Sequence, residues 1–95
     1  MTRRIILSPD AEADISAIER WYQSKETSLA FAFKVELRVI LHFIAQYPYA
    51  FPEVRRGVRR ALMKQFPYLL YFRLRNGVVS VLAVLHERRR QTFDV

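Results

Sequence analysis

Near one end of the chain stands the run Leu85-His86-Glu87-Arg88-Arg89-Arg90. Histidine is the side chain that titrates near neutral pH without perturbation. Arginines beside it grip phosphate or carboxylate groups through two parallel hydrogen bonds. His86 moving protons while Arg88 and Arg89 stabilise a pentacoordinate phosphate is a chemistry for cutting RNA. The same residues suit better the end of a strand followed by a solvated cationic tail, or a dock for acidic residues. Further cations cluster at Arg55, Arg56, Arg59 and Arg60, and again at Arg73 and Arg75. Other polar groups within reach of a site centred on His86 are Glu53, Arg55, Arg56 and Lys64.

Other chemistries are absent. Without cysteine, a disulfide scaffold, a thiolate zinc site and a Cys nucleophile are excluded. His42 and His86 are far apart, and no close His/Asp/Glu spacing suggests a metal. Two glycines in 95 residues leave no glycine loop for a phosphate. No cofactor and no metal are expected.

The elements that must position these groups follow from periodicity. Arg4-Ile5-Ile6-Leu7 reads as a short strand. Ser8-Pro9-Asp10 is a helix start, with Ser as N-cap, Pro in the first turn and acids behind it. Ala11, Ile15, Ile18 and Tyr22 then form an apolar stripe. After the polar break Lys25-Glu26-Thr27-Ser28, a second helix is predicted over 29–46. Phe33, Leu37, Ile40 and Ile44 line one side of it. Phe31, Val35, Val39 and Phe43 make a second apolar row, which predicts neighbours on two sides. The short connection makes the pair an antiparallel αα-hairpin. Trp21 reads as a core residue, and His42 as a helix-face residue with no role. Tyr47-Pro48-Tyr49-Ala50-Phe51-Pro52 reads as an extended loop pinned to the core.

From there the period changes to two, predicting strands over 58–65, 68–75 and 78–85. Asn76-Gly77 is a strong signal for a tight hairpin turn. Counting outward from it pairs Leu74 with Val79, Phe72 with Val81, Leu70 with Ala83 and Tyr68 with Leu85, an apolar face that packs on the helices. The other face carries Arg75, Arg73, Tyr71 and Leu69, with His86 at its far end. At about 3.4 Å per residue, His86 lies roughly 20 Å from Arg73 along that face. A tight turn at Phe66-Pro67 would set Arg60 opposite Arg73. Like charges so placed call for an anion, from the chain itself or from a partner. Tyr71, among these arginines, would stack on a base or pack against aliphatic neighbours. Of Arg59 and Arg60, at most one joins this surface, because neighbours on a strand point to opposite faces.

The charge follows the same division. Residues 1–47 hold six Lys/Arg and six Asp/Glu, whereas residues 48–95 hold ten and three, so the whole net charge of +7 lies in the second half. Such asymmetry suggests a cationic face aimed at an acidic partner or a phosphate backbone. A hydrophobic content of 52% excludes intrinsic disorder. The length suits one domain, 1–95. No apolar run approaches the roughly 18–20 residues that span a membrane. The opening Met1-Thr2-Arg3-Arg4-Ile5-Ile6-Leu7 starts like a leader, but acids follow at Asp10, Glu12 and Asp14, so none is expected. A cytoplasmic location is expected.

The order of strand, αα-hairpin and three antiparallel strands packed on the helices, an α+β fold, resembles the RelE/ParE superfamily of toxins from type II toxin–antitoxin systems. The resemblance is carried by Val58-Arg59-Arg60-Ala61-Leu62, Phe66-Pro67-Tyr68-Leu69-Leu70-Tyr71 and Val81-Leu82-Ala83-Val84-Leu85-His86-Glu87-Arg88-Arg89. The opening Leu7-Ser8-Pro9-Asp10-Ala11 is similar to the family's first helix. The chain looks most like the ParE, or plasmid-stabilisation, branch. In that branch the ending often continues with Pro and a terminal aromatic; here Gln91 stands in place of the Pro and Phe93 is the only aromatic. The resemblance implies a toxin that poisons DNA gyrase and is neutralised in a hetero-oligomer by a small acidic antitoxin. That partner would meet the helical apolar rows or the face with Arg60, Tyr71, Arg73 and Arg75, together with Arg88, Arg89 and Arg90. The alternative is a RelE-like, ribosome-dependent mRNA endoribonuclease using His86, Arg88 and Arg89, although Phe93 lacks the hydroxyl of a RelE-type tyrosine. A third reading, from the charge alone, is a non-toxic basic nucleic-acid-binding module.

Overall fold

The computed structural model describes residues 2–94, apart from the side chains of Gln91 and Thr92. A first strand, β1 (Arg4–Leu7), leads into α1 (Pro9–Lys25) and α2 (Thr27–Gln46). Four further strands follow: β2 (Glu53–Arg55), β3 (Val58–Leu62), β4 (Tyr68–Arg75) and β5 (Val78–His86). A four-residue helix, α3 (Gln91–Asp94), lies after them. The sheet has five strands in the order β1-β5-β4-β3-β2, with β1 parallel to β5 and the other pairs antiparallel. The expected three-stranded sheet is therefore extended on both edges. β2 was not foreseen; it is three residues long and turns into β3 through Arg56-Gly57, where Gly57 takes φ +74°.

The first helix forms as its residues dictate. Ser8 Oγ accepts a hydrogen bond from the Ala11 N–H at 3.0 Å, and Pro9 opens the first turn. Ala11, Ile15, Ile18 and Tyr22 are all buried, as are Phe33, Leu37, Ile40 and Ile44 of α2. These two stripes meet Leu70, Phe72, Val79 and Val81, each 0% exposed, on one face of the sheet. Tyr22, Phe33, Phe66 and Tyr68 form an aromatic group at the end of this core, with ring centroids 5.1–6.4 Å apart. Burial and the neighbouring Tyr68 push the Tyr22 phenol up to about 12.

Three expectations need correction. Trp21 is 54% exposed, with the Lys25 ammonium 5.3 Å from its ring centroid. It follows Arg20 on the outer side of α1, one position off the buried stripe. The second row of α2, Phe31, Val35, Val39 and Phe43, has no covering element among the described residues and is exposed throughout. Within the segment 47–52, Pro48–Ala50 form a 3-10 turn rather than an extended loop, although Pro48 is buried as the pinning requires.

Candidate functional site

One face of the sheet lies away from α1 and α2. It carries Arg60 from β3 and Leu69, Tyr71, Arg73 and Arg75 from β4, because residues two apart on a strand share a face. Arg60 pairs with Tyr71, not with Arg73. The connection from β3 to β4 is longer than a tight turn at Phe66-Pro67. The Met63 N–H donates to the Tyr68 carbonyl at 3.0 Å, and the Lys64 and Gln65 N–H groups donate to the Glu36 carboxylate of α2. That clamp sets the register. The anion that Arg60 meets is Asp94, in a mostly buried ion pair supplied by the chain itself.

Asp94 arrives as part of a plug. The Phe93 ring stacks on Tyr71, centroids 4.6 Å apart and planes at 26°. Arg55 donates to the Phe93 carbonyl at 3.1 Å, and its guanidinium lies 5.3 Å from the Phe93 centroid. Beneath, Val58, Leu69, Tyr71 and Ala83 form a second small core, joined by Val54, Leu82, Leu85 and Phe93. Tyr71 is fully buried, so it packs and presents no ring to a base. Burial first, then the Asp94 carboxylate, push its phenol up to about 12, with Arg60 opposing. Arg73 and Arg75 join Arg56 and Gly57 around a depression of about 380 Å³ at the tips of two hairpins.

His86 does not lie on this face. The β4–β5 register agrees with the Asn76-Gly77 count from Arg75/Val78 to Phe72/Val81 and then slips by one, so that Tyr71 pairs with Ala83 and Tyr68 with His86. Leu82 is the extra residue of a β-bulge, which leaves ladder groups free to bond elsewhere. The Ser8 hydroxyl donates to the Leu82 carbonyl at 3.0 Å, and the Val84 N–H donates to the Asp14 carboxylate at 2.9 Å. The start of α1 thus holds the bulge in place. Beyond it every side chain changes face. His86 packs edge-on against Tyr68, centroids 5.4 Å apart, on the helix side. Its Nδ1 accepts the Arg88 N–H at 3.1 Å and caps the 3-10 turn Glu87–Arg89, which puts the proton of the neutral ring on Nε2.

The predicted residues therefore fall into separate places. His86 and Arg89 line one depression of about 170 Å³ with Asp14, Ala17, Ile18 and Tyr68. Arg88 and Arg90 are exposed. Arg60, Tyr71, Arg73 and Arg75 occupy the opposite face of the sheet. Arg59 lies on the helix side, donating to the Phe51 carbonyl at 2.7 Å, 5.1 Å from the Tyr49 centroid and 3.6 Å from the Glu53 carboxylate. Asp94 and Phe93 were not singled out as site residues. Their signal was the need for an anion at Arg60 and a lone acid close behind the arginine run.

The exposed row of α2 forms a third surface. Val39, Ile40 and Phe43 border a groove of about 270 Å³ closed on the other side by Phe51 and Leu62, with Glu36 and Lys64 at its rim. A shallower depression continues the groove past Val35 to Phe31. Contiguous apolar surface rimmed by charge marks a protein interface more often than chance exposure does.

Among the described residues, no group of three or more His, Asp or Glu side chains gathers to hold a metal. No described helix is long and apolar enough to cross a membrane. Comparison with curated proteins finds no significant match. A solved structure described as "Chromosomal ParDE TA system from P. aeruginosa" shares the fold, with a TM-score of 0.78 and 18% identity, over 90% of this chain and 96% of that one. The family profile for the "ParE toxin of type II toxin-antitoxin system, parDE" matches residues 5–91. The chain belongs to the ParE toxin family of type II toxin–antitoxin systems.

Proposed function

We propose that this protein is a cytoplasmic growth inhibitor that acts by binding DNA gyrase, and that a small acidic antitoxin neutralises it in a hetero-oligomer. The observation that carries the reading, beside family membership, is the separation of its candidate chemistry. The bulge at Leu82 puts His86 on the helix side of the sheet, whereas Arg60, Arg73 and Arg75 lie on the other. A phosphate held by those arginines is out of reach of the imidazole, so a nuclease centred on His86 would have to use Arg89, which shares its depression with the Asp14 carboxylate, an anion that opposes phosphate there. For the antitoxin, the apolar row Phe31, Val35, Val39 and Phe43 is the surface that needs a partner, since none of the described residues covers it. A segment with its own apolar face, laid along α2 with acids toward the basic half of the toxin, fits that surface.

The test is supercoiling by purified gyrase in the presence of the protein. Loss of supercoiling, or accumulation of cleaved DNA complexes, is expected; unchanged activity across a wide range of toxin would sink the reading. His86→Ala is expected to remain fully toxic. If that substitution abolished toxicity while gyrase stayed unaffected, translation arrest through mRNA cleavage would replace it. Val39→Glu is expected to weaken antitoxin binding at least tenfold without altering the toxin's own fold.

A further inference from the structure

The outer edge of β3 is only partly covered. Peptide groups along an antiparallel strand turn alternately toward one neighbour and the other. Ala61 and Met63 turn theirs toward β4, where the Met63 N–H donates to the Tyr68 carbonyl at 3.0 Å. Arg60 and Leu62 turn theirs outward, and the Arg60 N–H donates to the Pro52 carbonyl at 3.1 Å. There the β2 ladder stops. Pro52 has no N–H to return to the Arg60 carbonyl. The residues before it, Pro48–Ala50, coil away as a 3-10 turn, so no β2 residue stands opposite Leu62. The next outward amide, that of Lys64, is taken by the Glu36 carboxylate. Among the described residues, the Arg60 carbonyl and both peptide groups of Leu62 therefore have no ladder partner. Leu62 is 55% exposed.

This gap borders the groove between α2 and the sheet. Leu62, Phe51 and Lys64 line one side, and Val39, Ile40 and Phe43 the other, around about 270 Å³. A continuation of β2 would run through it. Whatever fills the groove takes water from the three open peptide groups, and a buried peptide group without a partner is unfavourable. A helix cannot meet them, because its own N–H and C=O groups bond to one another. An extended segment can, and its alternate side chains then point into the groove. The lining selects apolar side chains there. At the rim, Glu36 is engaged by the Lys64 and Gln65 N–H groups, whereas the Lys64 ammonium forms no ion pair among the described residues. The charge left free is positive and calls for an acid.

We propose that the antitoxin enters this groove as a short extended strand, paired with β3 at Leu62 in line with β2. It carries apolar side chains toward Val39 and Phe43 and an acid beside Lys64. Recognition by strand addition draws affinity from the backbone and specificity from alternate side chains. Past the gap, where the surface continues along α2 to Val35 and Phe31, the antitoxin is free to be helical. This pairing rests on the α2 row being the antitoxin's surface, and adds the conformation of the segment that sits there.

The toxin is to be co-expressed with its antitoxin, and amide hydrogen exchange read at Leu62 in the free chain and in the complex. Exchange at Leu62 is expected to slow about a hundredfold on binding. Leu62→Pro keeps an apolar side chain and removes the outward N–H, a change that a strand edge tolerates. It is expected to weaken antitoxin binding about tenfold, whereas Leu62→Val, which keeps the donor, stays within about twofold of the parent. A Leu62 amide that exchanges equally fast in both states would overturn the pairing, with no variant required to fold. So would Leu62→Pro binding as tightly as Leu62→Val. Protection at Leu62 that grows with the concentration of the free toxin would give the edge to a second copy, and would overturn it too. Val39→Glu separates this pairing from the broader reading. If that variant weakens the complex while Leu62 stays unprotected, the antitoxin lies on α2 without the strand, and only the strand falls. If neither Val39→Glu nor Leu62→Pro alters binding, the α2 surface falls with it.

Discussion

The two faces of the sheet are covered very differently. On one, α1 and α2 lay buried stripes of Ala11, Ile15, Ile18 and Tyr22 and of Phe33, Leu37, Ile40 and Ile44 against side chains that exclude water completely. On the other, a four-residue helix covers a handful of apolar residues and encloses an arginine, a phenol and a carboxylate. The first face is apolar and satisfied. The second leaves buried polar atoms unpaired. Stability resides in the first, and the second is closed by a small plug that combines one ion pair with one stacked ring.

The largest effect that tests this contrast is a truncation in the helix-side core. Phe72 is fully buried and makes an edge contact with Phe51 at 5.8 Å. Phe72→Ala is expected to destabilise the fold by about 3–5 kcal/mol. Phe93→Ala on the opposite face removes a half-buried ring and one stacked pair, for about 1–2 kcal/mol. Urea unfolding of both variants gives the comparison directly. Equal losses would show that the plug is as much a part of the core as the sheet's helix side, and the contrast would be wrong.

The join between β5 and α1 comes next. The Asp14 carboxylate takes the Val84 N–H that the bulge releases. Asp14→Ala leaves that donor half-buried and unpaired, with an expected loss of about 1–3 kcal/mol. If Asp14→Ala were neutral, the bulge would not need α1 to hold it, and the position of His86 would rest on the strand alone.

How much of this was readable beforehand depends on how far apart in sequence the determining residues lie. The helices were legible because their signals are local: the Ser8-Pro9 start, and stripes that repeat every three or four positions. The hairpin register was legible close to Asn76-Gly77, where Asn76 takes φ 53° and Gly77 φ 76°. It failed at Leu82, because the groups that hold the bulge, Ser8 and Asp14, stand more than 60 positions away. The face of Arg60 was right, but its pairing with Arg73 failed for the same kind of reason, since Glu36 of α2 clamps the connection that sets the register. Trp21 was misplaced because an aromatic next to Tyr22 looks like core, although one step around a helix turns it by about 100° out of the stripe. For the candidate site, the arginines and Tyr71 were visible as a group, and so was the demand for an anion. That Asp94 meets it depends on the chain folding back over β3 and β4.

A smaller effect separates the two faces by pH. Tyr22 sits in the helix-side core and Tyr71 under the plug, and each phenol is pushed up from 10 to about 12. The folded state therefore keeps these protons at pH values where the unfolded chain has released them. Stability is fully present below pH 10 and falls as pH rises from 10 through about 12. Tyr22→Phe and Tyr71→Phe should each remove part of that slope. Because burial is the main cause at both sites, the slopes removed should be similar. The residual dependence after Tyr71→Phe should also lose its sensitivity to Asp94→Asn, whose carboxylate is the second cause there. Unfolding midpoints measured from pH 9 to 12 decide it, and a flat profile in the unaltered chain would show that neither phenol is shielded.

The smallest expected change is at the rim of the arginine face. Arg75 is exposed beside the Asn76-Gly77 turn. Surface charges in such positions contribute little to folding, so Arg75→Ala is expected to alter stability by no more than about 0.5 kcal/mol in either direction. Its neighbours argue for a slight gain rather than a loss. Arg56, Arg73 and Arg75 share one depression, and removing a cation relieves mutual repulsion. High salt should then shrink the difference between variant and parent, because screening already weakens that repulsion in the parent. A clear loss of stability would mean that Arg75 has a structural partner and that this end of the face belongs to the scaffold. A neutral or stabilising result leaves three arginines held together against their own repulsion, which an anionic partner would relieve.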